Sequence, residues 1–197
     1  ALQLAQPLRD RRFRPWLVFI CAWTFSMTLG GSLSELYVVE ELGIKSNFIG
    51  GSLAMTGVML FGSLLSGRVS GRLVDGLGIR RVLFVGHLGW GTLPLFWIWA
   101  TPGTALGWLT ASNLVGGTFA TAANTAANKL VTRLPPASAR TMYIAVSATL
   151  ASLMGGLGSM VAGELLDACG GGRLQLGAVA VKPFVLLFAL SAVGRLG

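Results

Sequence analysis

Trp16-Leu17-Val18-Phe19-Ile20-Cys21-Ala22-Trp23-Thr24-Phe25-Ser26-Met27-Thr28-Leu29-Gly30-Gly31-Ser32-Leu33-Ser34-Glu35-Leu36-Tyr37-Val38 carries a single acidic side chain, Glu35, and no basic one. A helix needs roughly 20 mostly apolar residues to cross the hydrocarbon layer of a bilayer, and this stretch has them. Working outward, five more stretches of the same kind follow, at 48 to 70, 82 to 100, 104 to 130, 140 to 166 and 178 to 196. The expectation is an all-α integral membrane protein with six transmembrane helices, resident in the lipid bilayer of a cell membrane as a multi-pass protein.

The basic residues sort by side, which sets orientation because positive loops stay on the cytoplasmic face during insertion. Arg9, Arg11, Arg12, Arg14, Arg68, Arg72, Arg80, Arg81, Lys129, Arg133, Arg140 and Arg195 fall on one side. Lys45, Arg173 and Lys182 fall on the other, with Glu40, Glu41 and Asp167. Both termini are therefore expected in the cytoplasm. The formal charge of +8 would suggest nucleic acid in a soluble chain. At helix ends the same charges set topology and meet anionic headgroups, so no nucleic-acid partner is expected. Trp16, Trp97, Trp99 and Trp108 lie near helix ends, as interfacial anchors do.

Several chemistries find no support. Cys21 lies within the first helix and Cys169 beyond the fifth, with no C-x-x-C and no Cys/His cluster, so neither a metal site nor a cofactor is expected. His87 reads as a hydrogen-bonded interior residue. The first helix is too long for the core of a cleavable signal peptide. A six-helix membrane enzyme would need a nucleophile and a base within the bilayer. With one His, no Gly-x-Ser-x-Gly and no intramembrane aspartate pair, the chain is not read as an enzyme. Glycines inside helices (Gly50, Gly51, Gly57, Gly116, Gly117, Gly155, Gly156, Gly158, Gly163) read as sites of close helix approach.

Gly67-Arg68-Val69-Ser70-Gly71-Arg72-Leu73-Val74-Asp75-Gly76-Leu77-Gly78-Ile79-Arg80-Arg81 joins the second and third helices. Gly71 permits a tight helix crossing, Gly78 a turn with positive φ, and Asp75 can accept charge-assisted hydrogen bonds. The stretch resembles the loop signature of the major facilitator superfamily through Gly71, Leu73, Asp75, Gly78, Arg80 and Arg81. It departs from it at Gly76 and Ile79, where basic residues are usual. The resemblance implies one six-helix half of a transporter, built from two inverted three-helix repeats, with residues 1–15 as a basic cytoplasmic linker and 16–197 as the transmembrane half. The other six-helix half would be its partner. Pro7-Leu8-Arg9-Asp10-Arg11-Arg12-Phe13-Arg14 and Leu190-Ser191-Ala192-Val193-Gly194-Arg195-Leu196 are similar to the C-terminal half of bacterial members. By the same resemblance, Gly71, Asp75, Gly78, Arg80 and Arg81 form a cytoplasmic gate, for which Arg140 is a candidate partner of Asp75.

The resemblance also implies that the first and fourth helices line the central cavity, and the polar residues agree. Thr24, Thr28, Ser32 and Glu35 recur at steps of four, four and three, on one helical face. Asn113, Asn124 and Asn128 share a face of the fourth helix. An ionisable group within a span is a functional-site hypothesis, so Glu35 is expected to bind a coupling proton or touch substrate, with Glu164 as a second candidate. Tyr143 and Ser147 would add hydrogen bonds at the inner mouth. Together these readings point to secondary active or facilitative transport of a small solute, amphipathic or neutral, by alternating access. No phosphate-binding loop is present to use ATP. The alternative is a stand-alone six-helix protein acting as a homodimeric carrier or scaffold.

Overall fold

A computed structural model describes residues 5–44, 52–169, 174–176 and 179–196. In chain order the helices are α1 (Gln6–Arg9), α2 (Arg14–Gly31), α3 (Ser34–Leu36), α4 (Ser52–Leu77), α5 (Ile79–Gly91), α6 (Leu93–Ile98), α7 (Ala105–Arg133), α8 (Arg140–Ala168) and α9 (Pro183–Leu196). A π-helical turn, Tyr37–Glu41, prolongs α3, and β1 (Leu174–Leu176) pairs antiparallel with β2 (Val179–Val181) ahead of α9. Of the glycines and cations expected at sites or sides, Lys45, Gly50, Gly51 and Arg173 lie outside the described residues.

Local chemistry explains where these elements depart from the expected boundaries. The first segment is broken at Ser32-Leu33, just past the Gly30-Gly31 pair, so that α2 and α3 form one interrupted rod. The third segment is broken at Thr92. Pro94 enters the first turn of α6, where its missing N–H removes a hydrogen bond to the preceding turn. The second helix runs on to Leu77 and includes Gly71 and Asp75, which the sequence placed in a loop. It stops at Gly78, whose φ of 88° an L side chain rarely adopts. The sixth helix starts at Pro183, because Val179–Val181 is used by the ribbon.

The helices pack as two equivalent triplets. The α2–α3 rod touches α8 and α9; α7 touches α4 and the α5–α6 rod; and the α5–α6 rod touches α9. Exchanging the first three rods for the last three leaves this pattern of contacts unchanged.

Residues sort in the manner of a membrane protein. Ser191 and Ser112 are 0% and 1% exposed, while Leu64 is 80% exposed and Phe84 69%. Small residues inside permit close backbone approach where lipid supplies no hydrophobic drive between helices. A methyl group on Gly62 of α4 would meet the Leu114 carbonyl oxygen of α7 at 2.7 Å, and one on Gly117 of α7 would collide with the Met59 backbone of α4. Gly116, Gly155 and Gly158 are likewise packed, against Leu93, Thr24 and the Phe25 carbonyl. Gly57, Gly71, Gly156 and Gly163 face open space instead. Among the described residues, Arg14–Glu41 and Ala137–Ala168, of 28 and 32 residues, are long and apolar enough to cross a membrane, and Pro183–Leu196 is apolar but shorter.

Candidate functional site

Both helix breaks open onto one cavity of about 540 Å³. Thr28, Gly31, Ser32 and Ser34 border it from the α2–α3 rod, Trp90, Leu93, Pro94 and Trp97 from α5–α6, Ser112, Asn113 and Gly116 from α7, and Phe188 and Arg195 from α9. Met59 of α4 and Ser159 of α8 reach it from equivalent helices of the two triplets. A larger groove of about 990 Å³ runs along α2, α5 and the end of α9. It touches neither α4, α7 nor α8 and none of the polar residues expected in a cavity, so the smaller space is the candidate site.

The expected cavity residues divide. Thr28, Ser32 and Asn113 line the space together. The Thr28 hydroxyl donates to the Thr24 carbonyl at 3.0 Å, and Asn113 Nδ2 donates to the Leu109 carbonyl at 2.8 Å. Thr24 lies against Gly155 in the α2–α8 contact. Glu35, Asn124, Asn128 and Glu164 are exposed on the bundle surface, away from this space. Tyr143 and Ser147 are buried between α2 and α8. Tyr143 donates its hydroxyl to Asp10 at 3.0 Å, and Ser147 accepts Trp16 Nε1–H at 3.0 Å. Trp16 is thus an interior residue rather than a surface anchor, whereas Trp99 remains exposed beside Trp108, with ring centroids 6.0 Å apart. His87 is interior, its Nδ1 2.9 Å from the Leu83 carbonyl and its ring edge-on to Trp23.

At the end of the bundle that carries Gly78, Asp75 is bridged by Lys129 of α7, with Nζ 2.6 Å from Oδ1. Lys129 therefore holds the position expected of Arg140, which is exposed, as are Arg80 and Arg81. The hydrogen bond from Lys129 holds the Asp75 carboxyl below its ordinary value, helped by the charges of Lys129 and Arg133. Nearby, the Arg12 backbone N–H, at 2.8 Å, lowers Asp10 in the same way, with the Tyr143 hydroxyl adding to it. At the opposite end, Lys182 pairs with Glu41.

Some residues at the site were missed by sequence reasoning. Arg195 belongs by charge sorting to a helix end, yet its Nη2 donates to the Met27 carbonyl at 3.1 Å, midway along Arg14–Glu41. The depth follows from packing: Ser191 donates to the Ser26 carbonyl at 2.6 Å, and Gly30 and Gly194 admit Ser191 and Ser26 respectively. Ser112 accepts Trp97 Nε1–H at 3.2 Å. Thr118, Thr121, Thr125 and Thr132 continue the polar face of α7, at steps of three, four and seven, a periodicity visible in the sequence. Their hydroxyls bond to carbonyls one turn back, so the helix itself satisfies them.

A family model described as Major Facilitator Superfamily matches residues 15–194. The chain belongs to that family, whose members are membrane proteins that move small solutes rather than enzymes. No curated protein matches it.

Proposed function

We propose that this chain is one six-helix half of a secondary transporter that works by alternating access, with both termini on the cytoplasmic side of a cell membrane. The observation that carries the reading is the cavity between the two triplets, reached by paired helices of each and opened by breaks at Ser32-Leu33 and Thr92. Broken helices around a central site are how transporters expose backbone and polar groups to a solute at mid-membrane depth. Thr28, Ser32 and Asn113 contact the solute. Asn124 and Asn128, with the threonine row of α7, extend the path along the exposed face of that helix. Asp75 and Lys129 act as a latch between α4 and α7 at the cytoplasmic end, beside Arg80 and Arg81. The basic opening segment and the closing stretch Leu190 to Leu196 support a C-terminal half, with a second six-helix half as partner.

The test is sided labelling in native membranes. With Cys21 and Cys169 replaced by Ser, single cysteines at Arg9, Ser32 and Lys182 are exposed to an impermeant maleimide in right-side-out and inside-out vesicles. The expected result is labelling of Arg9→Cys only from the cytoplasmic side, of Lys182→Cys only from the other, and of Ser32→Cys from both. Labelling of Ser32→Cys from one side alone would remove alternating access, and a reversed pattern for the other two would invert the topology.

A further inference from the structure

Among the described residues Arg195 is the one strongly basic side chain that borders the cavity, and it also reaches the larger groove lined by Arg11, Arg14 and Arg80. A guanidinium has five N–H donors and no acceptor, and holding one at the middle of an apolar bundle is unfavourable unless something in the site uses the charge. Its partners here are modest: Nη2 meets the Met27 carbonyl, and the Trp23 ring lies 5.9 Å from the guanidinium carbon. Nε is buried and has no hydrogen-bond partner. Among the described residues the ion pairs Asp75–Lys129 and Lys182–Glu41 both leave Arg195 aside, so no carboxylate of the described chain neutralises it.

Several of the other polar groups around the cavity are engaged within the bundle. Thr28 donates to its own helix, Asn113 uses its amide N–H on the Leu109 carbonyl, and Trp97 gives its indole N–H to Ser112. Beside Ser32 and the Asn113 carbonyl, the cavity offers a guanidinium edge with spare donors, next to walls formed by Trp90, Trp97 and Phe188. A neutral solute would leave the guanidinium charge unmatched. An anion with two oxygens in one plane fits the guanidinium fork, and an apolar body fits the aromatic walls.

We propose that Arg195 is the anion-binding group of this cavity and that the solute is a small amphipathic monoanion, a carboxylate on an apolar or aromatic body. The proposal rests on the cavity being the solute site. It sharpens the expectation of an amphipathic or neutral solute by assigning one negative charge.

Benzoate and benzamide have nearly the same shape and differ in charge, which makes them a matched pair of probes. The protein, held in nanodiscs of zwitterionic phosphatidylcholine, is titrated with each while tryptophan fluorescence is followed, since Trp90 and Trp97 wall the space. Benzoate should bind roughly 10- to 100-fold more tightly than benzamide, the range given by charge-assisted hydrogen bonds. Arg195→Gln should abolish that preference, and Arg195→Lys should restore part of it. Equal affinity for the two probes in the unaltered protein would overturn the role of Arg195 while leaving the cavity as the solute site. No saturable binding of either probe, or binding that survives Ser112→Phe, which fills the space, would overturn both. The comparison between probes needs no variant to fold.

Discussion

The α4–α7 and α2–α8 contacts occupy equivalent places in the two triplets, yet they are closed by different means. In α4–α7, backbone meets backbone. Gly117 lies against Met59, Gly62 lies against the Leu114 carbonyl, and Ser63 donates across to the Gly117 carbonyl at 3.2 Å. The end of that seam is an exposed ion pair, Asp75–Lys129, with the carboxylate side chain 68% exposed. In α2–α8, Gly155 and Gly158 meet threonine side chains as well as the Phe25 carbonyl. Its end is closed by buried rings, Trp16 on Ser147 and Phe13 edge to face with Tyr143 at 4.8 Å, with the Tyr143 hydroxyl on the Asp10 carboxylate. One seam is closed by backbone at its middle and by an exposed ion pair at its end; the other mixes side chain with backbone at its middle and is closed by buried rings at its end.

The largest effect should come from adding one methyl to each seam. Gly117→Ala drives a Cβ into Met59 backbone atoms, and we expect a loss of about 3 kcal/mol, the upper range for overpacking. Gly158→Ala meets the Phe25 carbonyl oxygen at 2.5 Å, a shallower backbone clash than the one at Gly117, and should lose about 2 kcal/mol. Reversible unfolding of the two variants in detergent measures both, and equal losses would erase the contrast.

Next comes the corner that ends α4. Gly78→Ala places a side chain at φ 88°, with an expected loss of about 2 kcal/mol. The connection from α7 to α8 needs no such residue, since among the described residues Gly43 and Gly78 alone have positive φ. Ala139→Gly at that corner should be nearly neutral in the same unfolding assay, and a loss as large as that of Gly78→Ala would contradict this.

Ser147→Ala strands a buried indole N–H and should destabilise by about 1.5 kcal/mol. Ser63→Ala at the other seam removes a hydroxyl that bonds carbonyls already within helices, with a loss of about 0.6 kcal/mol, the membrane average. A double-mutant cycle with Trp16→Phe would show whether the first loss belongs to the Trp16–Ser147 bond.

The smallest effect belongs to the exposed latch. Asp75 is held below its ordinary value of 3.8 by Lys129, so its contribution is present above that value and is lost as pH falls through the depressed one. The stability gap between the unaltered protein and Asp75→Asn should therefore be flat through neutral pH and close only in strong acid. It should also shrink at about 1 M salt, where screening acts over roughly 3 Å. A gap that instead closed near neutral pH would mean another group titrates there.

Much of the fold was legible because spanning length and polarity are one-dimensional properties. The six apolar stretches mark helices, and Gly78 marks the turn after α4. The loop signature's Asp75 was readable, but its partner was not: Lys129 and Arg140 are both basic and lie near one another in sequence, and only the packing of α7 on α4 selects between them. The interruptions at Ser32-Leu33 and Thr92 had visible signals in Gly30-Gly31 and Pro94, which length alone overrode. Arg195 was misplaced for a different reason. Charge sorting assumes that a cation after an apolar run emerges at the surface, whereas the depth of α9 is fixed by Ser191 and Gly194 fitting against Ser26 and Gly30. Tyr143 and Ser147 were expected at the inner mouth of the cavity, but they lie away from it, and their hydroxyls meet Asp10 and Trp16, 133 and 131 residues distant in the chain.

The interruption at Thr92 makes the α5–α6 rod a jointed arm. Its lower segment leans on α7 and its upper segment is shared between α7 and α9, and the cavity walls Trp90 and Trp97 stand on opposite sides of the joint. The gap between those two rings is therefore governed by the angle of the joint more than by the side chains that face it. On the proposed reading, a solute wedged there would work as a gauge block, its thickness setting a bend that both triplets feel at once.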